Sequence, residues 1–236
     1  MQSFCRWIAV LGAAIHVPHA AQAQTYPTRP LRMIIPAGSG GGVDTVARIV
    51  GTPLAAALGQ PVVMENRTGA GTMLASELTA KSPPDGYTLL MVTNSHAINA
   101  GIHKNLRYDP VNDFSPISFV TTLPYVKSKR LIALGISTAR LSPLYPGLPT
   151  IASSGLPDYE SDAWYGVIAP ARLPADIVAR LNREINAILR TAGVKDKLAA
   201  QGTDVAGSTP EEFAAILRRD IQKWAKVTAG LKLQIQ

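Results

Sequence analysis

Between positions 37 and 44 the chain reads Ala37-Gly38-Ser39-Gly40-Gly41-Gly42-Val43-Asp44. An apolar run, Leu31-Arg32-Met33-Ile34-Ile35-Pro36, leads into this segment and has the character of a buried strand. Helical spacing leads out of it, with Val43, Val46, Ala47, Ile49, Val50, Leu54 and Leu58 on one broad face. A glycine-rich link from strand to helix confines the chain to folds in which the two pack directly together. Glycine lets backbone N–H groups approach a ligand without a Cβ clash. The free amides and dipole of the following helix favour negative charge. The segment therefore either holds a phosphate or carboxylate, or closes a tight turn with no ligand.

The letters exclude the common nucleotide motifs. A P-loop ends in Gly-Lys-Ser/Thr, whereas this loop ends Gly42-Val43-Asp44. A dinucleotide fingerprint starting at Gly38 and Gly40 needs Gly or Ala where Val43 stands. Glu65 ends the next apolar run, as a ribose-binding acid would, but an export signal argues against a nicotinamide enzyme. Ser39 lies in a loose form of the nucleophile elbow. A secreted hydrolase using Ser39 would need a late histidine, and only His96 and His103 follow the signal. Two histidines without cysteine support no metal site, and a histidine beside a helix start is usually a satisfied polar residue. No carboxylate pair stands out for acid–base work. The reading is non-enzymatic, with no catalytic residue, metal or cofactor.

The chain continues as alternating elements. Gly59 stops the first helix, and Pro53 inside it predicts a kink. Pro61 to Glu65 reads as a strand, Thr72 to Lys81 as a helix and Tyr87 to Thr93 as a third strand. That order argues for a parallel sheet with helices on its faces. Residues 101–115 read as loop, Pro116 to Val120 as a fourth strand, and Arg130 to Ser137 as a fifth apolar run. A proline-rich crossover follows, with a short helix near Thr150, then a strand from Asp162 to Ala169. Two helices close the chain. Ile177, Val178, Leu181, Ile185, Ile188 and Leu189 share a face of the first, which starts at Pro174. The second opens with a capping box of Thr209 and Glu212 around Pro210. Phe213, Leu217, Trp224 and Val227 or Thr228 form its stripe, and Gly230 ends it.

Residues 1–23 read as a secretory signal, with Arg6, an apolar stretch from Trp7 to Ile15, and Ala21-Gln22-Ala23 as cleavage site. Cleavage there removes Cys5, the only cysteine, and with it disulfide and thiol chemistry. The net charge of +7 is spread along the chain, and the one tight basic run is Lys127-Ser128-Lys129-Arg130. Without a cationic patch interleaved with aromatics, no nucleic-acid partner is expected.

Several motifs occur in an order that resembles one family, the extracytoplasmic solute receptors of tripartite tricarboxylate transporters, the Bug-type receptors. They are Tyr26-Pro27 with Pro30-Leu31-Arg32; Gly40-Gly41-Gly42-Val43-Asp44; Leu58-Gly59-Gln60-Pro61 with Glu65-Asn66-Arg67 and Gly69-Ala70-Gly71; Pro84-Asp85-Gly86-Tyr87; Tyr108-Asp109-Pro110; Leu148-Pro149-Thr150; Trp164-Tyr165-Gly166; and Pro210-Glu211-Glu212-Phe213 with Lys223-Trp224. The resemblance implies an α/β, periplasmic-binding-protein-like (Venus flytrap) lobe, its mostly parallel sheet flanked by helices. It implies a small carboxylate held by Ala37 to Asp44, with Thr93, Asn94 and Ser95 and the region of Trp164 and Tyr165 facing the same cleft. It further implies a periplasmic location and membrane permease subunits as partners.

One departure stands beside the match. Leu123-Pro124-Tyr125-Val126 passes almost directly into Lys127-Ser128-Lys129-Arg130-Leu131, where the family carries a second lobe. A segment on the order of 80 residues is missing if that lobe is an ordinary small domain. The expected layout is a signal over 1–23, the first lobe over 24–125, a second-lobe remnant over 126–147, and a crossover with closing helices over 148–236. Arg130 to Ser137, left as a strand with an open edge, invites self-association.

Overall fold

Leu31–Ile35 forms β1 at the heart of a six-stranded sheet, and four of its five residues are buried. The computed structural model describes residues 26–122, 134–138, 141 and 145–231. The expected signal over 1–23, the basic run Lys127 to Arg130 and most of the 126–147 segment lie outside the described residues.

The first half follows the pattern of alternating elements. Strand β1 feeds α1 (Gly42–Leu58), which ends at Gly59 in the left-handed conformation, φ 68°. Next come β2 (Val62–Asn66), a short 3-10 turn, α2 (Met73–Ala80) and β3 (Thr88–Thr93). Strands β2 and β3 flank β1, both parallel to it. Helix α3 (Ser95–Ile102) follows at once, in a stretch for which the sequence suggested no helix. Strand β4 (Phe114–Thr122) completes this half.

The chain then returns from the opposite direction. Strand β5 (Trp164–Pro170) inserts between β3 and β4 and is antiparallel to both. Helices α4 (Ala175–Arg190) and α5 (Ala192–Ala200), the two-residue strand β6 (Asp204–Val205) and α6 (Pro210–Leu231) finish the lobe. The order is β2-β1-β3-β5-β4-β6. Strands β1 to β4 thus run one way, in keeping with the expected mostly parallel sheet, and β5 and β6 run the other, so that parallel neighbours occur only among β1, β2 and β3. A strand entering from beyond residue 122 runs against its neighbours because the crossover delivers it to the opposite end of the sheet.

Both faces of the sheet are covered, as the two-residue period of strands requires. Leu31, Met33 and Ile35, with Leu89, Met91, Val167 and Ala169, meet the layer built by α1, α4 and α5. Ile34, Leu90, Val92, Trp164 and Ile168 meet Phe213 and Leu217 of α6 and Ala75 of α2. The expected capping box is present: Glu212 Oε2 accepts the Thr209 N–H at 2.8 Å, and Thr209 Oγ1 accepts the Glu212 N–H at 3.2 Å. Helix α6 runs through Gly230 to Leu231, past the expected stop, and Val227 is exposed, leaving Thr228 on the buried stripe.

The remnant differs from expectation. Of Arg130 to Ser137, positions 130–133 lie outside the described residues. Ile136 forms a single parallel bridge with Thr150 and belongs to no strand of the sheet. Its N–H donates to the Pro149 carbonyl and its carbonyl accepts the Ile151 N–H, both at 2.9 Å, so this residue offers no open edge.

Two outcomes follow from this packing. A Cβ at Gly166 would sit 2.2 Å from the Phe213 ring tip, and that ring is wedged between Trp164 and Phe119. Gly166→Ala should therefore cost about 3 kcal/mol in chemical denaturation. His96 is fully buried, with Nδ1 3.1 Å from Ser76 Oγ and Nε2 3.0 Å from the Pro110 carbonyl. Burial holds its pKa down from 6.5 to about 4. Its neutral form stabilises the fold fully above about pH 6.5, and that contribution falls away as pH drops through about 4. The melting temperature should decline over that window, and His96→Gln should flatten the decline.

Candidate functional site

The carboxyl end of β1 opens into the glycine loop, which stands at the carboxyl edge of the sheet. Gly38 to Gly42 are exposed, Ala37 and Val43 are half-buried, and Asp44 is only 2% exposed. Asp44 organises the loop. Its Oδ2 accepts the Gly40 N–H and Arg48 Nε–H, both at 2.9 Å. Its Oδ1 accepts from Arg48 Nη2 and Asn66 Nδ2, also at 2.9 Å. The Asn66 amide also donates to the Ala37 carbonyl at 2.9 Å. The Arg48 guanidinium is the main cause that holds the Asp44 carboxyl down to about 2, with Gly40 and Asn66 adding to it against the cost of burial.

Gly40 has φ 80°, a left-handed conformation that a side chain would strain. Gly41 precedes the helix with extended backbone, and no side chain caps the first turn of α1. The Gly40 N–H is taken by Asp44 and the Gly41 N–H donates to the Gly38 carbonyl at 3.3 Å, so the exposed loop stands at the positive end of α1 with part of its backbone already paired.

The other expected residues gather at the same edge. Strand β5 runs antiparallel, so its start lies beside the end of β3. Thr93 is paired with Tyr165, and the Asn94 N–H donates to the Trp164 carbonyl at 3.3 Å. The Tyr165 hydroxyl comes within 3.4 Å of the position a Cβ would take on Gly42. Thr93 Oγ1 accepts the Ser95 N–H at 3.2 Å, which fixes the start of α3. The half-buried Asn94 and Ser95 lie next to this junction. Two side chains serve the framework instead. Asp44 is consumed by the loop, and the buried Trp164 donates its indole N–H to Asp220 at 2.6 Å.

Asn66 and Arg48 carry the loop geometry; the sequence reading gave neither a site role, and Asn66 entered only within the Glu65-Asn66-Arg67 motif. Arg48 follows Asp44 by one helical turn, a spacing that could have shown the pair. Asn66 reaches across from the next strand, which no spacing reveals. Glu65 is held between Arg32 at 2.9 Å and Arg67 at 2.6 Å. Ser39 is exposed, while His96 is enclosed with Ser76 and Pro110. Among the described residues no group of three His, Cys, Asp or Glu is placed to hold a metal, and no helix is long and apolar enough to cross a membrane.

A sheet covered by helices on both faces, with an exposed glycine loop at its carboxyl edge, is the architecture of a periplasmic-binding-protein lobe. Solved structures share it. Rpa4515 of R. palustris with adipate superimposes with a TM-score of 0.76 at 24% identity, over 89% of this chain and 100% of that one. MatC of Rhodopseudomonas palustris with bound malate gives 0.72 at 24%, over 86% and 99%. Residues 46–126 and 117–233 match the tripartite tricarboxylate transporter family receptor, TctC, and the chain belongs to that family. Protein BugT of Bordetella pertussis is 27% identical over 322 residues, covering 97% of this chain and 99% of BugT.

The anchored loop can be tested directly. Asp44→Ala strands the Arg48, Asn66 and Gly40 donors and should cost about 3 kcal/mol in urea melts.

Proposed function

We propose that this chain is a receptor that captures a small carboxylate in the periplasm for a tripartite tricarboxylate-type transporter, whose membrane permease subunits are its partners. The observation that carries this reading is the exposed glycine loop pinned from below by Asp44, in a chain of the TctC family. The ligands of Rpa4515 and MatC, adipate and malate, are small dicarboxylates of the kind such a loop suits. Ala37 to Val43, Asn94, Ser95 and Tyr165 would face the ligand, with Asp44, Thr93 and Trp164 positioning them. Capture of this kind calls for no catalytic group, metal or cofactor.

The second lobe is largely absent in this reading. The BugT alignment runs over 322 residues against 236 in the chain, and the two family matches meet at 117–126. Residues 26–122 and 148–231 then make one lobe, with 126–147 a remnant between them. A bound carboxylate would face solvent on one side. Losing two or three charge-assisted hydrogen bonds, at about 1.5–3 kcal/mol each, weakens affinity by several powers of ten.

A second reading is a remnant that folds but captures nothing. The exposure of Leu134 at 85% and Leu141 at 63% favours it, since apolar side chains open to solvent invite association between copies. Calorimetry with adipate and malate, alongside light scattering, separates the two. We expect saturable binding near about 1 mM and concentration-dependent self-association. No heat at any concentration leaves the remnant reading. Micromolar affinity in a stable monomer would show that one lobe suffices. Gly41→Val, which adds a branched side chain against the Gly38 carbonyl and over the loop amides, should lower any affinity at least about tenfold while the fold persists.

A further inference from the structure

A cavity of about 630 Å³ opens between α4, α5 and the turn that carries the chain from β6 into α6. Its floor is built by two asparagines one helical turn apart. Asn182 and Asn186 both donate to the Ser208 carbonyl, at 2.7 and 2.9 Å, and Asn182 donates also to the Ile117 carbonyl at 2.6 Å. These bonds bolt the turn to α4. Gly207, at φ 71°, allows the close approach, since a Cβ there would stand 2.6 Å from Asn186 Oδ1. The floor is therefore fixed before any ligand arrives.

The rim carries the charge. Arg183, Asn186 and Arg190 fall on one stripe of α4, because seven residues bring a helix back to within about 20° of its starting direction. Lys195 of α5 lines the same hollow, and Glu212 is the single carboxylate among the lining residues. That carboxylate is committed to its own helix, where it accepts the Thr209 N–H at 2.8 Å. Arg183 has Glu184 beside it, at 2.9 Å. Among the described residues Arg190 and Lys195 have no side-chain hydrogen bond or ion pair. Like charges held around one hollow repel, and an anion entering it relieves that repulsion.

The walls decide the class of anion. Leu189 and Val205 are the larger apolar side chains, and no aromatic ring lines the cavity, so a nucleobase or an acyl chain would find nothing to stack on. An arginine fork matches the oxygens of a phosphate bidentately, and a lysine adds a point charge. Arg183 and Arg190 stand about 10 Å apart along the axis of α4, so an anion with two charged centres spans the rim better than one with a single centre.

We propose that this cavity binds a compact multivalent oxyanion of the phosphate class, with Arg190 and Lys195 as its principal partners and Arg183 as the third. Strand β6 is four strands from β1 in the sheet, so the site is separate from the glycine loop and independent of carboxylate capture. Every residue that lines it belongs to the described part of the chain.

Pyrophosphate is the probe, and orthophosphate its single-centred counterpart. Calorimetry on the whole chain at pH 7.5, with ionic strength held constant by sodium chloride, should show saturable binding of one pyrophosphate and orthophosphate binding about tenfold weaker. Arg190→Gln and Lys195→Gln, checked for folding by circular dichroism, should each lower pyrophosphate affinity about tenfold. Lys226→Gln removes an exposed cation of α6 outside the cavity and should change nothing, as should Gly41→Val. Absence of saturable binding, orthophosphate binding equally well, or displacement of pyrophosphate by adipate each overturns the proposal on the native chain, without recourse to a variant. An equal loss in Lys226→Gln would show a response to net charge alone, and a loss in Gly41→Val would put the anion at the glycine loop; either also overturns it.

Discussion

Strand β5 holds the lobe together. All seven of its residues are buried, and it is the one strand with the parallel half of the sheet on one side and β4 on the other. Without it, β1, β2 and β3 would form a three-stranded fragment, and β4 would have no place to dock. Its two faces engage both helical layers. Gly166 makes room for Phe213, and Trp164 ties the strand to Asp220 on α6. The strand arrives only after the crossover, so the lobe cannot close until chain far from its start has returned. The returning segment carries the central pairing, and with it the layer structure is complete.

The same strand determines where chemistry can occur. Because β5 runs against β3, its beginning lies at the carboxyl edge, where the glycine loop and the start of α3 also lie. Tyr165 beside Gly42, and Trp164 beside Asn94, result from that reversal. The loop itself is stiffened from within. A carboxylate buried in the first turn of α1 accepts four donors, one from the loop, two from the next helical turn and one from β2. The loop thus presents backbone to solvent while its shape depends on side chains that a ligand would never touch.

The sequence made part of this legible. The apolar period showed β1, β3 and the faces of α1 and α4, and local chemistry showed the Gly59 cap and the Thr209–Glu212 box. Local signals did not reveal α3, whose Ser95-His96-Ala97-Ile98-Asn99 opening mixes polar and apolar residues. Nor did they reveal α5 or the two residues of β6, which exist because β4 and α4 are there to receive them. Alternation of strands and helices argued only for β1, β2 and β3 running parallel; it carried no information on β5, whose antiparallel direction is set by its long-range pairing with β3 and β4. At the site, the glycines and Asp44 were visible, but Asn66 acts from a different strand, and Trp164 looked like a cleft residue although its indole is committed to α6.

The far side of β4 bears on what the molecule can become in a crowded solution. Along β4 the outer backbone groups are met by side chains, with Asn182 donating to the Ile117 carbonyl at 2.6 Å and Ser208 Oγ accepting the Phe119 N–H at 3.0 Å. Strand β6 adds only two residues beyond that. Fibre growth needs two templating edges on every copy; among the described residues the longer edge is β2, and at the other end only the two residues of β6 stand outside β4. Edge-to-edge pairing through β2 therefore favours two molecules back to back over a growing stack.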